Sequence, residues 1–222
     1  MNKPIPVLIV PTLNGHDRIN NLFQSIDYPV DHAVIINNDS TRTVTVESNW
    51  VGRISVINMP SNLGVAASWN LGIKSTPMAP YWLIVNDDVT FDSGSVEKFA
   101  WEGEKIGIIS ISDATSPWCA FVIGYNVINA VGLFDEAFYP AYFEDTDYAR
   151  RARHYLGDDV IYQTGIKVTH HNSSTIAGAY AAANSRTYQE NYRTFEDKLS
   201  LNRYEPIGWS LAIRRMNDWG QP

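Results

Sequence analysis

Continuous apolar runs alternate with amphipathic segments over the first part of the chain. The runs contain few polar side chains, which is typical of buried parallel strands, and they comprise residues 5–10, 33–36, 54–57 and 81–85. Between the runs, apolar residues recur with the spacing of one helix face at residues 19–26 and 65–73. This alternation predicts an α/β protein with a doubly wound, mostly parallel central sheet flanked by helices.

The second half of the chain has a less regular pattern. Strands are predicted at residues 106–111, 120–123 and 166–169, and a helix is predicted at residues 144–155. From residue 181 the spacing of aromatic side chains predicts a helix packed on the sheet. Farther on, an amphipathic stretch either serves an interface or covers the sheet, and it contains Trp209, Ile213 and Met216.

We expect a single domain over residues 1–222. Its parts are a nucleotide-binding half (1–90), an acceptor and catalytic half (91–180) and a C-terminal helical segment (181–222). The pattern contains no internal repeat and no low-complexity linker that would divide it.

Charge and cysteine content narrow the function classes. The 222 residues carry a formal net charge of -7, which argues against a nucleic-acid partner because phosphate backbones require clustered Lys and Arg. Cys119 is the single cysteine, so an intrachain disulfide is excluded and a reducing compartment is favoured. Because the apolar runs are short, we expect neither a signal peptide nor a membrane-spanning segment. We therefore expect a cytoplasmic protein, with the periphery of a membrane as a further possible location.

Polar clusters follow two of the predicted strands, at residues 37–40 and 86–88. In doubly wound sheets ligands bind outside the carboxyl ends of the strands, so a nucleotide is expected at this edge. Asp87 and Asp88 are adjacent carboxylates after a buried strand, and such a pair suits Mg²⁺ or Mn²⁺. A solvated turn, in which Asp is common, is the alternative interpretation.

Two further clusters carry candidate chemistry. Residues 144–147 place three carboxylates at the start of a predicted helix, where they either cap the helix or include a general base. His170 and His171 follow the last predicted strand, and each is either a ligand for a metal or phosphate or a structural histidine.

Three stretches together match a known family. They are residues 62–73, whose sequence is NLGVAASWNLGI, the Asn-Asp-Asp element at 86–88, and the stretch from Gly132-Leu-Phe-Asp-Glu through Glu-Asp-Thr-Asp at 144–147 to Arg151. On these motifs the chain resembles the inverting family-2 glycosyltransferases of GT-A fold, especially the rhamnosyltransferase-like group. The resemblance extends along nearly the whole chain, and its third stretch is the most specific.

The resemblance implies a role for individual residues. Asp145 would be the catalytic base beside Glu144, and Asp88 with His170 would bind Mn²⁺ or Mg²⁺. The aromatic residues expected around the sugar and acceptor are Trp118, Tyr125, Tyr142 and Phe143. The residues implied in nucleotide-sugar binding are Pro11, Thr12, Asn14, Asn37, Asn38, Ser40, Asn62, Gly64, Asn70, Asn86 and Asp87.

The reaction implied by the resemblance is a single in-line displacement with inversion. The donor would be a UDP-, dTDP- or GDP-linked sugar, and the acceptor hydroxyl would belong to a glycan, a lipid-linked molecule or a protein. Two positions depart from the family pattern, since Asn37 and Asn86 stand where the family usually has Asp. These departures leave the base preference open and fewer charges for a cation.

Three other functions share some of these sequence features. A sugar-1-phosphate nucleotidyltransferase is rejected because residues 11–15 lack a glycine-rich loop and a lysine for a triphosphate. A glycoside hydrolase also uses two carboxylates but has no need of nucleotide features at strand ends. The remaining alternative is a nucleotide-sugar-binding module of a larger assembly that has lost catalysis, which Asn37 and Asn86 favour and the acidic helix start opposes.

Overall fold

The fold is given by a computed structural model, which describes residues 3–171, 181–205 and 208. Within these ranges the strands are β1 (Ile5–Thr12), β2 (Val30–Asn37), β3 (Val51–Asn58), β4 (Tyr81–Val85), β5 (Val89–Phe91), β6 (Ile109–Ile111), β7 (Ala120–Gly124), β8 (Ile161–Gln163) and β9 (Val168–His170). The α-helices are α1 (His16–Gln24), α2 (Val65–Ser75), α3 (Ser95–Gly103), α4 (Tyr125–Val131), α5 (Glu144–Leu156) and α6 (Ala181–Ser200). Two 3₁₀ helices span Pro117–Cys119 and Asp158–Val160.

Seven strands form the central sheet in the order β3-β2-β1-β4-β7-β6-β8. The first four strands of this order run parallel, and β7 is antiparallel to both of its neighbours. The register aligns Thr12 with Asn37 and Asn37 with Asn58. The carboxyl ends of β1, β2 and β3 are therefore side by side, as the predicted binding edge requires.

Both faces of the sheet are buried, which explains the continuous apolar runs. Side chains of alternate residues point to opposite faces of a strand. Leu8 and Val10 pack with α1 and α3 on one face, whereas Val7 and Ile9 pack with α2, α4 and α5 on the other. Helices on both sides of a largely parallel sheet make up the predicted α/β architecture, and this prediction is confirmed.

A separate two-stranded sheet joins distant parts of the chain. Strand β5 pairs antiparallel with β9, and this register places Val89 opposite His170. The residue before β5 is Asp88, so the pairing brings the end of the β4 segment next to the last predicted strand. Neither β5 nor this pairing was predicted.

Most predicted elements exist, with shifted ends. The strand expected at residues 106–111 is limited to Ile109–Ile111, and the one expected at residues 166–169 spans Val168–His170. Helices α3 and α4 and strand β8 were not predicted. Trp209, Ile213 and Met216 lie outside the described residues.

Helix α6 begins where the sequence predicted it but contacts another region. Its side chains hydrogen-bond and pack against residues 135–147, directly before and within the start of α5, rather than serving simply as a cover of the sheet. Within the described ranges no helix is long and apolar enough to cross a membrane.

Candidate functional site

The carboxylate of Asp87 connects the ends of β1 and β4. Its Oδ2 accepts a hydrogen bond of 2.6 Å from Thr12 Oγ1, and Arg18 Nη2 lies 3.3 Å from the same oxygen. Gly15 approaches so closely that a Cβ atom at this position would lie 1.9 Å from Asp87 Oδ2. Burial raises the pKa of Asp87, while Thr12 and the Arg18 guanidinium oppose that shift. Thr12 and Asp87, both predicted to bind the nucleotide-sugar, are therefore neighbours.

The two asparagines at the end of β2 hold the local backbone. Asn37 Nδ2 donates to the Arg42 carbonyl (2.7 Å) and to Asn58 Oδ1 (2.9 Å), and its side chain is fully buried. Asn38 Nδ2 donates to Ser68 Oγ at 2.9 Å, and Asn38 Oδ1 accepts from the Leu63 amide at 2.9 Å. Both amide hydrogens of Asn37 are thus engaged within the protein, so a contact with a nucleobase stays a prediction.

Asp88 and His170 are brought into contact by the β5–β9 pairing. His170 Nε2 lies 3.1 Å from Asp88 Oδ1, and the His171 amide donates to the Asp88 carbonyl at 2.8 Å. The hydrogen bond and charge of the Asp88 carboxylate raise the pKa of His170 against the opposing effect of burial. The two residues predicted to bind a metal therefore lie together beside the carboxyl end of β4.

The start of α2 is built around Gly64. Its φ of 82° lies in the left-handed region, and a Cβ atom would stand 2.8 Å from the Pro140 carbonyl oxygen. Asn62 Oδ1 accepts from the Gly64 amide at 2.9 Å, and the Asn62 carbonyl accepts from the Tyr139 hydroxyl at 3.2 Å. Asn62 and Gly64 thus join α2 to the segment that precedes α5.

Asn70 makes a second connection between α2 and the segment that precedes α5. Its Nδ2 donates to the Phe134 carbonyl and to Glu136 Oε1, each at 2.9 Å, and its Oδ1 accepts from the Phe134 amide at 2.9 Å. The side chain is fully buried. The structure therefore gives Asn70 a supporting position, and a direct contact with the nucleotide-sugar stays a prediction.

Arg151, the last residue of the motif that begins at Gly132, forms a buried ion pair. Arg151 Nε lies 2.8 Å from Asp147 Oδ2, and both side chains are fully buried. The remaining guanidinium nitrogens donate to the carbonyls of Val131 (3.1 Å) and Leu133 (2.9 Å). One carboxylate and two carbonyls thus satisfy the buried cation, which fixes the end of α4 against α5.

The segment entering α5 is strained and is held by α6. Tyr142 and Phe143 have φ values of 77° and 73°, a conformation that bulky residues adopt rarely. Asn191 Nδ2 donates to the Tyr142 carbonyl at 3.3 Å, and Phe143 stacks on Phe195 with ring centroids 5.6 Å apart. The predicted aromatic pocket residues Tyr142 and Phe143 therefore contact α6 in this structure.

Glu144 and Asp145 open α5 with different environments. Glu144 is 6% exposed, and burial together with the charge of Asp145 raises its pKa to about 8. Among the described residues, Glu144 Oε2 has no hydrogen-bond partner. Asp145 is partly exposed, its pKa is raised by burial, and its Oδ1 accepts from the Thr146 amide at 2.6 Å. An aspartate with a raised pKa is a stronger base than an exposed one once it is ionised.

A cavity of about 630 Å³ extends from the start of α5. Its walls include Thr146, which follows Asp145, and Trp118, which precedes Cys119. The Cys119 carbonyl accepts from the Asn86 amide at 2.8 Å. The cavity therefore lies against α5 with Trp118 in its wall, and a role of Trp118 in an acceptor pocket stays a prediction.

The other predicted residues occupy the same edge or the sheet itself. Pro11 is buried in β1, whereas Asn14 is exposed with a φ of 55°. Ser40 is exposed after β2, and Asn86 is partly buried after β4. Tyr125 is partly buried against the core rather than in the cavity wall.

Several residues of this region belong to no recognisable sequence motif. Arg18 contacts Asp87 across 69 positions, and Lys198 Nζ lies 2.7 Å from both Asp135 Oδ2 and Asp147 Oδ1. Single basic residues on amphipathic helices form no motif, so only the tertiary structure shows their partners. The acidic segment 144–147 was the available signal that a buried cation stands nearby.

Known proteins resemble this chain in both sequence and fold. A sequence model described as Glycosyl transferase family 2 matches residues 7–106, slightly less than half of the chain. No curated protein gave a match.

Two solved enzymes illustrate the structural likeness. The crystal structure of glucosyl-3-phosphoglycerate synthase from Mycobacterium tuberculosis with Mn²⁺, UDP and phosphoglyceric acid has 13% identity and a TM-score of 0.57, over 85% of this chain and 78% of that chain. S. aureus TarS 1–349 with UDP-GlcNAc has 13% identity and a TM-score of 0.56, over 85% of this chain and 71% of that chain.

A further TarS 1–349 structure has 16% identity and a TM-score of 0.55 over 73% of this chain. In that comparison the chain spans 58% of the TarS chain. At these identities the likeness establishes the architecture alone. The α/β fold of this chain, with its seven-stranded, mostly parallel sheet flanked by helices, is therefore the fold of the GT-A glycosyltransferases.

Proposed function

We propose that this chain is an inverting glycosyltransferase that moves a sugar from a nucleoside-diphosphate donor to an acceptor hydroxyl, with Asp145 as base and a divalent cation at Asp88 and His170. The observation that carries the proposal is the Asp88–His170 contact of 3.1 Å beside the carboxyl end of β4. In doubly wound sheets this edge is where ligands bind. The family-2 match over residues 7–106 includes Asp88 and the ends of β1, β2 and β4.

The proposed donor is a UDP-linked sugar. Both similar enzymes were crystallised with UDP or UDP-GlcNAc, which favours uridine over the thymidine and guanosine alternatives. Asn14, Ser40 and Asn86 leave polar side chains at least partly accessible along the edge formed by β1, β2 and β4. Within this proposal they contact the nucleotide, while Asn37 and Asn38 hold the backbone around it.

The side chains at the proposed cation site fit a divalent metal. Asp88 supplies a carboxylate, His170 supplies an imidazole, and both kinds of ligand occur at Mn²⁺ sites. The buried Nδ1 of His170 has no hydrogen-bond partner among the described residues, so the ring has no fixed second contact there. Since the described residues contain no group of three or more His, Cys, Asp or Glu suited to a metal, the diphosphate oxygens of the donor would complete the coordination. A cation bound there would neutralise charge on the departing nucleoside diphosphate.

Asp145 performs the proton transfer in this mechanism. The acceptor oxygen attacks the anomeric carbon while Asp145 removes its proton, the bond from that carbon to the diphosphate breaks, and the nucleoside diphosphate leaves. A single displacement inverts the configuration at the anomeric carbon. Burial raises the pKa of Asp145, which strengthens it as a base and makes the rate fall as pH falls through that pKa.

Calorimetric titration with UDP, dTDP, GDP and their sugar conjugates tests the proposal, first with Mn²⁺ and then with a chelator. We expect one uridine-linked donor to bind in the presence of Mn²⁺ and to bind more weakly by about tenfold or more after chelation. Absence of binding by every nucleotide to the folded protein would contradict the proposed function. Donor binding without nucleotide release or transfer to any acceptor would instead identify a binding module that has lost catalysis.

A further inference from the structure

The cavity beside α5 has a wall of basic and aromatic side chains. Arg150, Arg153 and His154 line it from one face of α5, because positions three and four apart share a helix face. Asp158 is the one carboxylate among the described lining residues. In a chain with a net charge of -7, the two arginines on one wall of the cavity favour an anionic ligand.

Arg150 has hydrogen-bonding capacity that its surroundings do not use. Its side chain is 14% exposed, and its guanidinium lies over the Tyr204 ring at 4.1 Å from the centroid. Nη2 donates to the Arg203 carbonyl, whereas Nε and Nη1 are shielded from water and have no partner among the described residues. Unpaired buried donors on a charged group are costly, so Arg150 is a favourable partner for an anion in the adjoining cavity.

The cavity is large enough for more than an inorganic anion. Its volume of about 630 Å³ lies within the range of small-molecule sites, and Trp118 and Phe195 line it with aromatic side chains, whereas the Tyr204 ring is in contact with Arg150 and His154. Thr146, the neighbour of Asp145, lines the same space. A ligand held by the arginines would therefore extend toward the proposed catalytic base.

We propose that this cavity binds the acceptor and that the acceptor is a hydroxylated molecule carrying a phosphate or carboxylate group. This inference rests on the proposed function for the role of Asp145. Arg150 and Arg153 bind the anionic group through charge-assisted hydrogen bonds, and the aromatic side chains contact its carbon skeleton. Arg150 and Arg153 follow Thr146 by four and seven positions, so the reacting hydroxyl lies about 6 to 10 Å along the helix axis from the anion.

The experiment measures binding of glycerol 3-phosphate and of glycerol to the full chain by calorimetry, with and without UDP and Mn²⁺. The variants are Arg150→Gln and Arg153→Gln, and the matched control is Arg193→Gln, which removes the same charge from an exposed position of α6. Arg153 is also exposed, so its replacement tests the cavity even if Arg150→Gln fails to fold. Cosedimentation with phosphatidylglycerol vesicles tests whether the same anionic group is presented by a lipid headgroup.

We expect glycerol 3-phosphate to bind at least tenfold more tightly than glycerol. Each cavity variant should weaken this binding by about tenfold, while the control stays within about twofold of the unmodified protein. Vesicle binding that falls in both cavity variants would support a lipid headgroup, and binding of the soluble compound alone would support a soluble acceptor. The proposal is overturned if glycerol 3-phosphate binds no better than glycerol, or if both variants match the control. Because the titrations are also made without UDP, failure of nucleotide binding would be seen separately.

Discussion

The two halves of the molecule differ in how their functional polar groups are satisfied. The carboxyl ends of β1, β2 and β4, where the nucleotide is proposed to bind, are called the nucleotide edge. Here Asn37, Asn38 and Asp87 form hydrogen bonds to other side chains or to backbone atoms without a ligand. At the start of α5, Glu144 and Arg150 each keep buried polar atoms without partners among the described residues. Asn37, Asn38 and Asp87 are thus held in place without a ligand, whereas Glu144, Arg150 and, at the proposed cation site, His170 keep buried polar atoms that a ligand would contact.

Backbone strain also differs between the start of α5 and the nucleotide edge. Tyr142 and Phe143 have positive φ values directly before the candidate base, and packing against α6 maintains them. The nucleotide edge has positive φ values at Gly64 and Asn14, and both residue types adopt this conformation more readily than bulky aromatic residues do. Catalysis should therefore be sensitive to changes around α5 and α6 that leave nucleotide binding intact.

Replacing Asp145 tests this separation most strongly. Asp145→Asn removes the base but retains the size of the side chain, so transfer should fall by about a hundredfold to ten-thousandfold while donor affinity is retained. Steady-state transfer assays and donor calorimetry measure the two effects. Asp31→Asn, the same change at an exposed position on the opposite edge of the sheet, serves as the control. A transfer rate near that of the unmodified protein would remove Asp145 as the base.

Glu144 predicts that the free energy of unfolding depends on pH. Its pKa in the folded protein is about 8, raised from 4.5 by burial and by the charge of Asp145. Because the folded state keeps a proton that the unfolded chain releases, the stabilising contribution is complete below pH 4.5 and is lost as pH rises toward 8. A difference of one pKa unit between the folded and unfolded states corresponds to about 1.4 kcal/mol, so the total effect is on the order of a few kcal/mol.

Glu144→Gln should remove this dependence, because Gln is a neutral side chain of similar shape. We expect the variant to be more stable than the unmodified protein at pH 8, with a difference that shrinks toward pH 4.5. Denaturant unfolding across this range measures the free energy of unfolding. Glu196→Gln, at an exposed position of α6, is the matched control. An advantage of equal size at every pH would show that Glu144 is not held protonated.

The fold was predictable where hydrophobic runs are long and buried on both sides. Strands β1 and β4 stand out as such runs, and both were predicted at nearly their observed positions. Strand β5 has only three residues, and its pairing partner lies far along the chain, so no local pattern marks it. Helix α4 is short and rich in β-branched residues, which favour strands and obscure helical periodicity.

The site was predictable only in part, because motifs identify residues but not their partners. The proximity of Asp88 and His170 follows from the family resemblance, and the contact between them is present. The internal bonding of Asn37 and Asn70 was not foreseen, because a family pattern does not separate residues that touch a ligand from residues that support them. The catalytic and ligand-binding roles themselves stay predictions.

Replacing Asp88 tests the proposed cation site at the nucleotide edge. Asp88→Ala removes the carboxylate of the proposed cation site, so Mn²⁺-dependent donor affinity should fall by about tenfold to a hundredfold. Calorimetry with Mn²⁺ and with chelator measures the change, and Asp92→Ala, at an exposed position after β5, is the control. Unchanged affinity at saturating Mn²⁺ would show that Asp88 does not hold the cation.

Replacing Asn191 should have the smallest effect of these changes, and it should lower kcat rather than donor affinity. Its side chain is 3% exposed and donates to the carbonyls of Ala141 (2.8 Å) and Tyr142 (3.3 Å), which hold the strained segment before Asp145. Asn191→Ala should lower the free energy of unfolding by about 1 kcal/mol and reduce kcat several-fold. Donor affinity should stay unchanged, because no nucleotide-edge residue contacts this amide within the described hydrogen bonds.

The measurement combines denaturant unfolding with the separation of kcat from the donor KM. Gln189→Ala removes an exposed side-chain amide from the same helix and should change none of these quantities. Loss of stability without loss of kcat would show that α6 supports the fold but does not position Asp145. A decrease in kcat together with a weaker donor affinity would contradict the separation between the two regions. The change would then have reached the start of α2 through Pro140, which lies just before the strained segment and whose carbonyl accepts from the Val65 amide at 2.7 Å.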